Sequence, residues 1–294
     1  MARRECEGMK IGVLFPQFEI GLDPVNVRDF AQAADELGYA HLTAFDQIIG
    51  LNKASRPDWK YVHDAEDMFH EIFVLFGYLA AVTRAIELVT GVLVLPMRGT
   101  ALVAKQAAEV DLLTQGRFRL GVGIGWNAVE YEVLGQDFKA RGARSEEQIE
   151  LLRRLWTERS VTFNGKFDTV TGAGLAPLPV QRPIPVWIGS AAAKGYERIG
   201  RLADGWFPMM GPGPKLDDAR QVVRDAAFAA GRDPDAIGME GRVDTADPDA
   251  AATGLAKWAD AGASHVTINT MARGLKTVND HLAALAAIAK VVSA

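Results

Sequence analysis

Several things are scarce in this chain of 294 residues, and each scarcity excludes something. There is one cysteine, Cys6. It permits no internal disulfide framework and, standing alone in a polar stretch, builds no zinc site, so a reducing compartment is expected. No apolar run is long enough to span a bilayer, and the run 11–15 behind Arg3 and Arg4 is too short for a signal-peptide core. A cytoplasmic location away from membranes follows as an expectation. Basic clusters are missing too, and the net charge is −5. Nucleic acid is therefore not an expected partner. Without low-complexity linkers the chain reads as one domain over 9–294, preceded by a frayed leader at 1–8.

What the sequence does have is alternation. Strand patterns at 10–15, 40–45, 86–96, 118–123, 185–190, 205–208, 237–243 and 265–269 are separated by helical ones. The first helix is opened by Asp23-Pro24, carries Val27, Phe30, Ala31, Ala34 and Leu37 on one face, and stops at Gly38. Further helices are predicted at 69–83, 101–113 and 129–134, then behind a capping box Ser145-Glu146-Glu147-Gln148, and at 194–203, 215–230, after Asp247-Pro248 and at 277–292. Several strands are apolar on both faces, as in a parallel sheet covered by helices. Eight strand and helix pairs in a chain of this length predict an α/β fold of the (β/α)8 TIM-barrel type, with insertions after strands two (46–66) and four (158–185).

The stretch "RLGVGIGWNAVEYEVLG" (119–135) resembles a dinucleotide turn at first sight. Its spacing is G-x-G-x-G, and it follows the fourth strand rather than the first, so that reading fails. In a barrel, ligands meet the C-terminal strand ends. There Gly121 reads as a core glycine, whereas Gly123 and Gly125 would leave room for a ligand beside Trp126 and Asn127. Other strand ends carry Asp46 and Gln47, Gly91, and the run Gly189, Ser190, Ala191 leading into a helix. That helix start suits a phosphate, although Gly-Ser before a helix is also an ordinary cap.

The blocks "VTGVLVLPMRGTALVAKQAAEVDLLTQGRFRLGVG", "LGVGIGWNAVEYEVLGQDFKARGARSEEQIELLRRLWTE" and "PVQRPIPVWIGSAAAKGYERIGRLADGWFP" resemble the bacterial luciferase-like family. Within it they are most similar to actinobacterial oxidoreductases that use the deazaflavin coenzyme F420; relatives that use FMN share most of these strings. The resemblance implies a flavin-type cofactor over the C-terminal face, stacked on a non-proline cis peptide at Gly91-Val92. It places Ile124, Gly125, Trp126 and Asn127 beside the ring or its ribityl chain, and Gly189, Ser190 and Ala191 at the phosphate. Arg144, with Arg141 as alternative, and Lys194 would neutralise that phosphate.

Two departures stand out. Many deazaflavin relatives have Asp-His where this chain has Asp46-Gln47, and glutamine cannot titrate near neutral pH. Asp46 itself, His63 and His70 are the remaining candidates for moving a proton, with His63 read as a lid residue and His70 as a packed, hydrogen-bonded ring. His41, His265 and His281 are set aside. Trp126 stands where sugar-phosphate dehydrogenases of the family carry a carboxylate, which disfavours a sugar phosphate. The expectation is hydride transfer to or from a mid-sized organic substrate walled by Trp59, Tyr61 and His63, in a homodimer. The alternatives are a monooxygenase using reduced FMN and oxygen, and a non-catalytic flavin-binding protein.

Overall fold

The computed structural model describes residues 8–56 and 63–292; Cys6, Trp59 and Tyr61 lie outside them. Among the described residues, parallel strands close into a barrel: β1 (Lys10–Leu14), β2 (His41–Ala44), β3 (Glu87–Thr90) with its short continuation β4 (Leu93–Val94), and β5 (Phe118–Gly123). A hairpin, β6 (Val161–Asn164) and β7 (Thr169–Ala173), stands outside, and the barrel resumes with β8 (Val186–Ser190), β9 (Gly205–Pro208), β10 (Gly238–Asp244) and β11 (His265–Asn269). Pairing of β3 with β5, Leu88 opposite Phe118, closes the ring.

Helices clothe it: α1 (Pro24–Glu36), α2 (Ile72–Val82), α3 (Thr100–Leu113), α4 (Ala128–Val133), α5 (Arg141–Thr157), α6 (Ala193–Leu202), α7 (Pro214–Ala229), α8 (Pro248–Asp260) and α9 (Val278–Val292). The start of α1 follows the expected chemistry: Asp23 Oδ1 accepts from Val25 N at 2.9 Å, proline sits in the first turn, and Val27, Phe30, Ala31 and Ala34 are buried. None of the described helices is long and apolar enough to cross a membrane.

Three local expectations are corrected. The third strand is not one run from 86 to 96: it breaks at Gly91-Val92, resumes for two residues, and turns through a 3-10 segment, Leu95–Met97. The capping box at 145–148 does not open α5, which begins at Arg141 behind Ala140. Its residues serve other elements. Ser145 is buried within the helix, Glu147 accepts the N–H groups of Lys166, Phe167 and Asp168 in the β6–β7 turn at 2.7, 2.8 and 2.7 Å, and Gln148 donates to Arg98 O at 3.0 Å. The Pro/Gly-rich insertion read as irregular contains the antiparallel hairpin, whose Asp168 accepts from Thr100 Oγ1 at 2.7 Å at the start of α3.

The N-terminal end of the barrel is closed by charge. Arg119 Nη1 lies 2.6 Å from Glu240 Oε2 and its Nη2 3.0 Å from Glu87, while Trp187 stacks on the guanidinium at 4.2 Å. His41 Nε2 meets Glu240 Oε1 at 3.1 Å and Thr267 Oγ1 at 2.9 Å. Burial alone would raise the Glu240 carboxyl, but His41 and Arg119 hold it well below the usual carboxylate range. His41 and His265, set aside from the sequence, sit in or beside this plug.

Candidate active site

The other end of the barrel is organised around the break in the third strand. The Gly91-Val92 peptide is cis, as the resemblance implied. A β-carbon at Gly91 would collide with the Thr43 side chain. Val92 lies between β5 and β8: β-carbons at Gly123 and Gly189 would come within 2.6 and 3.2 Å of its methyls. Gly125 has φ +65°, and a β-carbon there would meet Val94 at 2.6 Å. The room expected at Gly123 and Gly125 is thus taken by Val92 and Val94. These glycines let the bent strand sit against its neighbours, while Gly121 is a core glycine facing Thr90 and Phe207.

Asp46, just past β2, holds this bend. Its Oδ2 accepts from Val94 N at 3.1 Å and its Oδ1 from Arg98 Nη2 at 2.7 Å, with the carboxylate 1% exposed. Arg98 also binds Glu71, the cap of α2, at 2.9 Å. Burial pushes the Asp46 carboxyl up, and Arg98 and the Val94 N–H oppose it. Both carboxylate oxygens are therefore engaged, one by the Val94 backbone and one by the Arg98 guanidinium. Gln47 follows, half-buried at the mouth.

After β5, Asn127 is buried, and its Oδ1 accepts from Val129 N at 3.1 Å to cap α4. Tyr131 Oη donates to Ile124 O at 2.7 Å, tying the short helix to the strand end, and Trp126 is 45% exposed at the rim. Glu130 points back across the third strand and accepts the N–H groups of Ile48 and Ile49 at 3.1 and 3.3 Å.

At the end of β8, Ser190 Oγ accepts from Ala192 N at 3.2 Å, and Gly195 is required because a β-carbon would overlap that hydroxyl. No side chain caps α6; Gly195 N bonds to Ala192 O at 2.8 Å, which leaves the first-turn N–H groups of Ala193 and Lys194 without a capping acceptor beside exposed Ala191 and Lys194. The start of α5 lies against α6, where Gly142 closely approaches Arg198. Within α5, Arg144 Nη2 reaches Arg98 O at 3.4 Å and Arg141 stacks on Phe138 at 3.8 Å.

His63 pairs with Asp67 at 3.2 Å and packs on Phe18 and Phe69. His70 is packed against Phe15, as expected, but its Nε2 is buried without a hydrogen-bond partner, and burial pushes the imidazole below its ordinary value. Arg98, Glu130 and Gln17 were missed by sequence reasoning. Gln17 is fully buried, donates to Phe45 O at 3.2 Å and accepts from His70 N at 3.4 Å, so it joins the ends of β1 and β2 to the approach of α2. No local pattern marks any of the three, because each finds its partners far away in the chain: Arg98 the carboxylates of Asp46 and Glu71, Glu130 and Gln17 distant backbone. A separate groove of about 750 Å³ lies on the outer flank between α5, the hairpin and α6, lined by Glu146, Glu150, Arg153 and Arg201 among others, and holds none of the mouth residues.

Comparison with known proteins agrees with this architecture. The model of the luciferase-like monooxygenase family matches residues 9–288. An uncharacterised protein of Mycobacterium tuberculosis is 37% identical over 208 residues, 69% of this chain and 71% of that one. An F420-dependent glucose-6-phosphate dehydrogenase of Amycolatopsis mediterranei is 35% identical over 154 residues, 50% of this chain and 46% of that one. The structure of an F420-dependent secondary alcohol dehydrogenase superposes with a TM-score of 0.76 at 17% identity, covering 97% of this chain and 99% of that one. The chain belongs to the luciferase-like monooxygenase family.

Proposed function

We propose that the protein is an oxidoreductase that uses coenzyme F420 for hydride transfer to or from a small organic substrate. The observation that carries this reading is the conjunction of the bent third strand, seated on Gly123 and Gly189, with an uncapped helix start beside Ser190 and Lys194. A flat, anionic cofactor fits that pair: an apolar ledge formed by Val92 for a ring, and free N–H groups, a hydroxyl and a cation for a phosphate. The relative named for F420 supports this cofactor. When bound, a deazaflavin supplies the hydride donor or acceptor.

The protein's own residues bind, orient and exclude water. Asp46 and Arg98 fix the ledge through Val94 N; Ser190, Ala191 and Lys194 hold the phosphate. Arg144 closes the space between α5 and the third strand. The Gln47 amide donates a hydrogen bond to an oxygen of the substrate or cofactor but exchanges no proton. A homodimer fits the same account: α2 is apolar on nearly every face, and its Val74 is 73% exposed.

The second reading, a monooxygenase using reduced FMN and oxygen, is favoured by the family's own description. Titrating the apo protein with F420 and with FMN, and following oxygen during turnover, separates the two. Tighter F420 binding without oxygen uptake supports the proposal, and tighter FMN binding with uptake overturns it. Cofactor that binds yet never changes redox state with any alcohol, ketone or alkene offered would indicate a non-catalytic binder.

A further inference from the structure

Glu130 is a buried carboxylate, 6% exposed, on a helix of six residues that is anchored at both ends. Asn127 caps that helix, and Tyr131 ties it to Ile124 O and packs on Phe138. Its oxygen accepts two backbone N–H groups, those of Ile48 and Ile49, and the Asn127 amide also bonds to it. Burial pushes the Glu130 carboxyl up, and the N–H groups of Ile48 and Ile49 and the Asn127 amide oppose it; with its oxygen taken up by these donors, Glu130 is placed to hold the loop after β2.

What it holds is unusual for a loop. Ile48 and Ile49 are each 41% exposed, and Trp126, beyond the end of β5 on the other side of the third strand, is 45% exposed. Three large apolar side chains thus border one side of the mouth, between the ends of β2 and β5. The acidic groups nearby are already engaged: Asp46 by Arg98 and Val94 N, Glu71 by Arg98 and Val74 N, and Glu130 by the loop. Among the described residues, none of these three carboxylates is left over to hold a cationic substrate. Exposed apolar surface beside a binding site is recognition surface for an apolar ligand.

We propose that Glu130 is a positioning residue that holds Ile48 and Ile49 as an apolar lip, and that this lip with Trp126 selects an uncharged, largely apolar substrate. The inference rests on the reading that the barrel mouth is the active site, and it does not depend on which flavin-type cofactor binds there.

The test is direct binding of 2-alkanones from 2-butanone to 2-octanone, with levulinate as the charged control, measured by calorimetry on the full chain with and without F420. Wild type should bind about fourfold tighter for each added methylene, the ratio expected for burying one CH2 group, and should bind levulinate more weakly than the ketone of the same length. Glu130→Ala and the double variant Ile48→Ala/Ile49→Ala should flatten that gradient. Glu130→Gln should restore it, since an amide oxygen can accept the same two N–H groups. An affinity that does not rise along the series, a preference for levulinate, or a gradient intact in Glu130→Ala would overturn the proposal. Thermal unfolding of Glu130→Ala guards against simple misfolding; should it unfold, the Ile48→Ala/Ile49→Ala pair decides alone. F420 titration of the same samples separates the two readings: a wild type that binds the ketones but not F420 leaves the lip standing and removes the cofactor, and the reverse result removes the lip.

Discussion

The two ends of the barrel both bury a carboxylate against an arginine, and they use the pair differently. At the closed end Arg119, Glu240, His41 and Thr267 answer one another's charges and hydrogen bonds, strand to strand, with no loop involved. At the mouth, Asp46 and Glu130 turn their oxygens to backbone N–H groups of Val94, Ile48 and Ile49, and Arg98 bridges Asp46 to the cap of α2. The closed end is a plug whose partners are side chains. The open end is a set of clamps on loops and on a bent strand, leaving apolar surface and an uncapped helix start facing outward. The comparison shows how one fold separates stability from binding: charge that is internally satisfied locks strands, and charge directed at backbone shapes a site.

The largest expected effect breaks the plug. Arg119→Met deprives the buried Glu240 carboxylate of its arginine and should cost about 3–5 kcal/mol of stability in urea unfolding, since breaking a buried ion pair from one side leaves its charge undercompensated. If it costs less than 1 kcal/mol, the closed end is not the stabilising half.

Acid should weaken the plug, through His265 beside it, and the fold elsewhere, through His70 and His281. Burial, reinforced by Arg119, pushes His265 down to about 3, and burial also lowers His281 and His70. These imidazoles take up protons more readily in the unfolded chain. Stability is therefore complete above the ordinary histidine value of 6.5 and falls as pH drops toward 3, by about 1.4 kcal/mol per pH unit for each proton involved. Glu240, held low, adds its loss below the ordinary carboxylate value. Replacing His265 with glutamine should make the pH-dependence of unfolding shallower by one proton over that window; an unchanged slope would show that His265 is not held neutral.

At the mouth the balance should invert. Asp46→Asn keeps an acceptor for Val94 N but removes the charge facing Arg98. It should cost about 1–3 kcal/mol of stability and weaken F420 binding by about tenfold or more as the ledge loosens. Stability loss with unchanged cofactor affinity would mean that the clamp serves the fold alone. Smallest in stability is Gln47→His, within about 0.5 kcal/mol of wild type. It should add an ionisation near neutral pH to the profile of turnover, and an unaltered profile would show that this position never meets the reacting groups.

Much of this was legible in the sequence. Alternating strand and helix patterns, the Asp23-Pro24 start and the exact run 118–123 gave the barrel and its strand ends, because these signals are local. The resemblance located the bend at Gly91-Val92. Less legible was anything formed by distant partners. Ser145 to Gln148 matches a helix start in its residues, yet Glu147 serves the hairpin turn and Gln148 serves Arg98 O. The glycines at 123 and 125 announce close approach without saying what approaches, and the answer is Val92 and Val94. Arg98 and Glu130 look like ordinary surface charges until the fold brings Asp46 and the Ile48-Ile49 backbone to them.

The most direct test is a crystal structure of the protein with F420 added. The account predicts the ring on the Val92 ledge at the C-terminal end of the barrel, with the phosphate at Ser190 and the start of α6. A ring bound elsewhere, in the flank groove beside Glu150 and Arg153 for example, or a mouth left empty at saturating cofactor, would contradict it.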